Sequence, residues 1–279
     1  MLGIWIQNAV SGVAIGLLYG LIGLGVVLFF QTTNLMNFAH ISSAMLGAYL
    51  CYMFNVTLKL PFLIAMVLAI LLVAGYGLLL KKLVYEPLAK REGGRLEFII
   101  ATLMLSVFLL NAVIVLWGGI PKPFPDVFGD PTRPIIIGGV AIQGHSLWVL
   151  AYVTVFVIAL QSFFTKTMTG KSLRAVAQNQ GAARLMGIKV DRVISFTFAI
   201  GAGFAGLGGV LYAIAYSSIW SQLGILPGLK AFVAAVLGGI GSIPGALVGA
   251  LIMGQAEALT MGYISTPMRD AVAFTILIL

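Results

Sequence analysis

Apolar runs close to 20 residues long follow one another along almost the whole chain, separated by short polar stretches. As an α-helix, a run of that length crosses a bilayer core about 30 Å thick. The runs predict spans at about 5–30, 41–57, 61–80, 98–117, 146–165 and 193–216, the first unusually long and rich in glycine. A seventh region, 230–259, is split by Gly238, Gly239, Gly241, Ser242, Pro244 and Gly245. It reads as one kinked crossing, a re-entrant hairpin or two short crossings, and the pattern does not choose among them. A last apolar stretch opens near Ala271 and stops at Leu279, too short to cross, so the chain is expected to continue past it. The whole pattern predicts an all-α polytopic membrane protein, a single transmembrane domain over residues 1–279 with about eight spans, some broken or re-entrant.

Composition agrees. The 279 residues are 61% hydrophobic and 9% charged, with a mean hydropathy of +1.09. A soluble domain carries roughly a quarter charged residues, so there is too little polar surface here to cover a water-soluble globule. The 8 acids, 2 histidines and single cysteine, Cys51, exclude an intrachain disulfide, a cysteine zinc site and most multi-carboxylate chemistry. The net charge of +8 raises the question of nucleic acid, but the charges are placed otherwise. Lys81, Lys82, Lys90, Arg91 and Arg95 fall in the loop 81–97, and Lys166, Lys171, Arg174, Arg184, Lys189 and Arg192 in the loop 166–192. The stretch 118–145 holds Lys122 and Arg133 against Asp126 and Asp130. Short loops rich in Lys and Arg stay in the cytoplasm, so 81–97 and 166–192 are expected inside, 118–145 outside, and the N-terminus periplasmic. No basic leader or small-residue cleavage site precedes the first span, which is not read as a signal peptide.

In lipid, helices associate through small residues that let backbones approach. Gly12, Gly16 and Gly20 make such a stripe, as do Ala202, Ala205, Gly206 and Gly209, and then Gly245 and Gly249. Broken backbone at membrane depth survives only where protein or water satisfies it. The segment from Gln31 to His40 has no Lys or Arg, and its amides and imidazole fit either a buried discontinuous helix or an ordinary inside loop with one capping Asn. The break from Gly238 to Gly245 is read as an embedded hinge. Asn34, Asn37, Phe38, His40, Gly239, Gly241 and Ser242 are therefore candidates for a translocation pathway, together with Glu257, a carboxylate inside an apolar run. His145 is expected at an interface. Gly170-Lys171-Ser172 imitates the end of a phosphate-binding loop, but that motif needs a glycine at position 165, which is Thr. No nucleophile, base and acid assemble at a credible depth, so a non-catalytic chain is expected.

The loop 166–192 is too patterned for a linker. Leu173, Val176 and Ala177 have helical spacing; Asn179 is a candidate N-cap, and Ala182, Ala183 and Met186 are read as one face of a short helix that Gly187 ends. Such a small-residue knob suits a cleft in a partner protein.

These motifs carry a resemblance. Gly170-x3-Arg174-Ala175-x3-Asn179-x2-Ala182-Ala183-x3-Gly187-Ile188 resembles the cytoplasmic coupling loop of permease subunits from branched-chain amino acid ABC importers. Asn37-Phe38-Ala39-His40 with Gly47-Ala48-Tyr49 is similar to that family's early signature, departing from it at Ile41, and Gly238-Gly239-x-Gly241-Ser242-x2-Gly245-Ala246 resembles its late glycine motif. The resemblance implies a type II-like ABC importer bundle. It also implies contact with a cytoplasmic ATPase through Arg174, Asn179, Ala182, Ala183, Arg184, Gly187 and Ile188. The implied partners are a second homologous permease, two ATP-binding subunits that use the ATP, a periplasmic substrate-binding protein and the bilayer of the bacterial inner membrane, with no nucleic acid and no cofactor on the chain itself. The alternative is an ion-coupled secondary carrier for small polar solutes; a membrane enzyme has almost no candidate chemistry.

Overall fold

A computed structural model describes residues 2–91, 93–125, 127, 134–137 and 140–278. Asp126, Asp130 and Arg133, and the side chain of His145, lie outside the described residues. The helices are α1 (Leu2–Thr33), α2 (Ala39–Tyr52), α3 (Phe62–Leu80), α4 (Glu86–Lys90), α5 (Arg95–Trp117), α6 (Gly144–Lys166), α7 (Met168–Gln178), α8 (Gln180–Leu185), α9 (Val190–Ala215), α10 (Ile225–Leu237), α11 (Ile243–Tyr263) and α12 (Arg269–Ile278). Strand β1 (Lys122–Pro123) pairs antiparallel with β4 (Ser218–Ile219), and β2 (Pro134–Ile137) with β3 (Val140–Gln143).

Among the described residues six helices are long and apolar enough to cross a membrane, in α1, α3, α5, α6, α9 and α11, and α10 is a shorter apolar helix. The expectation of about eight spans meets a different economy. The predicted crossing at 41–57 is α2 with its continuation through one π turn at Met53–Thr57, a helical run of about 28 Å, close to a bilayer core. α10, of 13 residues, rises about 20 Å, less than a bilayer core.

Spans α1 and α9 are the centre, 72% and 78% buried, whereas α5 is 11% buried and lies at the rim. The small-residue stripes explain how the centre closes. Side-chain-free positions bring Gly16 of α1 onto Gly254 of α11, and Gly47 of α2 onto the backbone of Gly206 of α9. Without such positions the backbones stand a side chain apart, and van der Waals packing, the main attraction available in lipid, is lost.

The chain turns alternately at two ends. At one end α3 does not stop at Leu80 but continues through a π turn (Lys81–Tyr85) into α4, so much of the predicted loop 81–97 is helical. Lys81 is buried there between Glu86 (2.8 Å) and Asp191 (2.7 Å), which fastens the end of α3 to the start of α9. The two basic stretches thus share one end, together with α7 and α8. The opposite end carries the β1–β4 pair.

Candidate functional site

α1 ends where its own side chains draw its last carbonyls back: the hydroxyls of Thr32 and Thr33 donate to Leu28 (3.1 Å) and Phe29 (2.9 Å). Asn34 follows with φ +54°, the left-handed conformation that asparagine tolerates better than most residues, and its N–H donates to Phe30. The chain then climbs back into the bundle. The Phe38 N–H donates to Thr102 of α5 (3.3 Å), and His40 Nε2 lies 3.0 Å from the Ile22 carbonyl. Ile22 is eleven residues before the end of α1, about 16 Å up the helix. Of the two readings open for this segment, the structure has the discontinuous helix, half-buried over residues 35–38 and buried at Ala39 and His40; Asn34 itself is exposed at the bundle end.

The start of α2 faces an apolar pocket lined by Val26, Phe29, Phe38, Ile41, Phe232 and Ile240. It is tight, about 20 Å³, close to the room one water needs. Phe38 and Phe232 face each other with ring centroids 6.3 Å apart, and the Ile41 side chain seats against Gly228 of α10. Behind it Asn37, His40, Ser43 and Thr197 line a second small void, where Asn37 Oδ1 and Ser43 Oγ have no partner among the described residues. The start of α2 thus joins an apolar slot to a few unpaired polar atoms, in a space too small in this state for more than about one water.

The glycine break lies elsewhere than expected. Gly239, Gly241 and Ser242 form an exposed turn at the end that carries α7 and α8, and do not line the slot, although Ile240 does. Gly239 has φ +90°, and Ser242 Oγ caps α11 by accepting from the Gly245 N–H (3.1 Å). The turn joins α10 and α11 as a hairpin, so 230–259 is not one kinked crossing. The embedded break instead precedes α10, where Gly224 packs on the Ile41 carbonyl of α2. The Gln31 side chain ties the turn to α1 by donating to the Gly241 carbonyl at 2.5 Å.

Glu257 is not in the slot either. It is 1% exposed and accepts from Tyr19 OH (2.9 Å), and its other oxygen is 2.5 Å from Lys230 Nζ. Lys230, 2% exposed, also holds Asp270 at 2.6 Å. The cluster joins α1, α10, α11 and α12. Reading the sequence missed Lys230, although a lone Lys inside an apolar run is itself a signal, and a buried acid demands a buried base.

In the loop 166–192, Asn179 is the joint between α7 and α8: its N–H donates to Ala175, and its Oδ1 accepts from Ala182 (3.0 Å). Gly187, at φ +81°, ends α8, with Ile188 N–H returning to the Ala183 carbonyl. Arg174 is exposed and donates to the Phe164 carbonyl. Ala182, Ala183 and Met186 do not share a face. Ala183 is 4% exposed and packs in the bundle with Val176 and Val190, whereas Ala182, Arg184, Leu185 and Met186 face out, Leu185 and Met186 being 90% and 83% exposed. The inward residue is set by the i, i+7 spacing of Val176, Ala183 and Val190, which carries the apolar stripe across the Asn179 joint. From α8, Gln180 Nε2 donates to the Thr32 carbonyl at 2.6 Å.

A membrane bundle whose broken helices converge on an interior slot, with an apolar knob displayed at one end, is the build of a transport permease. The chain belongs to the branched-chain amino acid transport system permease family, whose model matches residues 8–279. It is 35% identical to the high-affinity branched-chain amino acid transport system permease protein LivH of Escherichia coli K12, over 99% of this chain and 92% of the relative. The corresponding protein BraD of Pseudomonas aeruginosa is 33% identical over the same shares. The autoinducer 2 import system permease protein LsrC of Salmonella paratyphi B is 27% identical over 86% of this chain and 66% of its own length. No solved structure matches.

Proposed function

We propose that the chain is the membrane-spanning subunit of an ATP-driven importer of branched-chain, aliphatic amino acids in the bacterial cytoplasmic membrane. The observation that carries this reading is the linkage from α8 to both breaks. Gln180 grips Thr32, and the adjacent Gln31 grips Gly241, so a displacement of α8 reaches the start of the α1–α2 break and the α10–α11 turn together.

In this reading the end with α7 and α8 is cytoplasmic, as its basic residues favour, and the N-terminus is periplasmic. Leu185 and Met186 seat in a groove of an ATP-binding subunit, flanked by Ala182 and Arg184. Two such subunits bind and hydrolyse the ATP, a second homologous permease completes the pore, and a periplasmic binding protein delivers the solute. In another state of the bundle the slot beside Phe38 and Phe232 opens to take the aliphatic side chain, while the positive end of the α2 dipole attracts the carboxylate. ATPase closure and solute stabilise different states of the bundle, which is what alternating access requires. The names of LivH and BraD, matched over almost the whole chain, favour branched-chain amino acids over the solute named for LsrC. Pairing of Glu257 with Lys230 counts against an ion-coupled carrier, because that acid already has its cation.

The test is reconstitution of the co-purified permeases and ATPases in proteoliposomes with a binding protein, followed by leucine, autoinducer 2 and urea uptake. ATP-dependent leucine accumulation is expected; accumulation driven by an ion gradient without ATP would overturn the reading. A Met186→Cys variant gives the orientation, since the single native cysteine, Cys51, is buried. Labelling of intact cells by a membrane-impermeant thiol reagent would invert it.

A further inference from the structure

A cavity of about 320 Å³ opens at the end of the bundle opposite α8, within the range of small-molecule sites. Along α1 its lining residues Ser11, Ile15 and Leu18 continue at helical spacing to Val26 and Phe29 of the slot. The two spaces therefore lie on one face of the same helix. Between them, Ile22 closes the way: His40 holds its carbonyl, and its side chain packs on Gly208 of α9.

The chemistry of the cavity is one-sided. Its polar lining is Asn8, Ser11, Tyr212, Tyr216 and Arg269, donors or hydroxyls, with no Asp or Glu. Asn8 Nδ2 is buried without an acceptor among the described residues. The Arg269 guanidinium lies 5.9 Å from the Tyr216 ring centre, and Asp270 meets it at Nε only, 3.5 Å away. That Asp270 oxygen is already held by Lys230 at 2.6 Å, so the ion cluster absorbs the acid and leaves the fork of Arg269 to the cavity. A planar guanidinium and an unpaired amide donor lining one cavity suit a carboxylate. The remaining wall, including Ile15, Leu18 and Met261, is apolar.

We infer that this cavity is an entry site for an aliphatic amino acid, with Arg269 and Asn8 taking the carboxylate and Ile15, Leu18 and Met261 the side chain, above the closure at Ile22 and His40. The direction of entry rests on the import reading; the carboxylate chemistry does not.

The test uses the permease–ATPase complex in lipid nanodiscs without binding protein, with radiolabelled leucine as probe and 4-methylpentanoate or isoamylamine as competitor. Arg269→Gln is expected to weaken leucine retention by about tenfold or more, the usual consequence of losing a charge-assisted bond. Arg269→Lys falls between, and Ser11→Leu, which fills the cavity without touching the arginine, lowers retention as well. 4-Methylpentanoate competes, and isoamylamine does not. If Arg269→Gln fails to assemble with the ATPase, Ser11→Leu and the competitors carry the test. Unchanged retention in both variants, or competition by the amine alone, overturns the site. An anionic lipid retained in native mass spectra, lost in Arg269→Gln and indifferent to leucine, overturns it in favour of a headgroup. Wild-type leucine uptake with an unaltered KM in Arg269→Gln sinks the site and spares the import reading. Arginine-dependent binding without ATP-driven accumulation does the reverse.

Discussion

The side-chain amide of Gln180 donates to the main-chain carbonyl of Thr32 across 2.6 Å, joining residues 148 positions apart in the chain. Thr32 is also in the last turn of α1, whose final carbonyls lack helical partners. A side chain from α8 therefore supplies what the helix end needs, and the knob and the break become one mechanical unit. Gln180→Leu is expected to leave the transporter assembled while raising the ATP hydrolysed per solute imported. Simultaneous measurement of phosphate release and uptake in proteoliposomes checks it; an unchanged ratio would show that the bond transmits nothing.

The outward face of α8 makes a second expectation specific. Leu185→Asp and Met186→Asp place a charge where an apolar groove is proposed, and should lower ATPase recovered in a gentle-detergent pull-down by about tenfold or more. Ala183→Glu acts differently: it puts a carboxylate among Val176 and Val190 and should lower the folded yield of the permease itself. Equal ATPase recovery in all three would remove α8 from the interface.

That contrast shows what the sequence makes legible. The long spans, α1, α3, α5, α6 and α9, came through because an apolar run of about 20 residues has one physical outcome in a membrane. The caps of α8 came through as well: Asn179 and Gly187 act locally, within a turn of their own positions. What stayed hidden was long-range. Which side of α8 turns inward depends on α7 and α9 packing beneath it, and the partner of Glu257 lies on another helix, 27 residues away. The depth of the glycine break was misread for a related reason, since glycines permit an interior kink and an exposed turn alike. Only the start of α10 against Ile41 decides between them.

The slot gives a third expectation. Gly228 faces the Ile41 side chain so closely that a larger residue must displace it. Gly228→Phe should fill the space beside Phe38 and Phe232 and abolish uptake with ATPase recovery intact. Phe232→Ala enlarges the slot and should admit bulkier side chains, read as a shift of competition from leucine toward phenylalanine. Wild-type uptake and selectivity in both variants would move the pathway elsewhere.

Helix crossing at Gly47 sets a fourth. A methyl there would run into the backbone of Gly206, which cannot move aside as a side chain would. Gly47→Val should destabilise the α2–α9 contact by about 1–3 kcal/mol, the range for overpacked cores. It is read as a lower melting temperature of the purified complex in detergent, and an unchanged melt would mean that the crossing is looser than its geometry.

The last expectation concerns Lys230 and Glu257, and separates pairing from packing. Removing one member of a buried ion pair strands the other without water, at a cost of about 3–5 kcal/mol, whereas replacing both by apolar residues is often neutral. Lys230→Met should therefore be severe, and Glu257→Gln milder, because the amide still offers Tyr19 an acceptor and Asp270 still neutralises Lys230. The double variant Lys230→Met with Glu257→Leu should recover part of the loss but not all, since Asp270 then loses its Lys230 partner and keeps only the distant Arg269. Melting temperatures of the wild type, Lys230→Met, Glu257→Leu and the double variant in one detergent give the coupling directly. Additive losses would mean that α10 is held by its apolar face alone. A strong positive coupling would identify the pair as the anchor that fixes α10, and with it Phe232, against the start of α2.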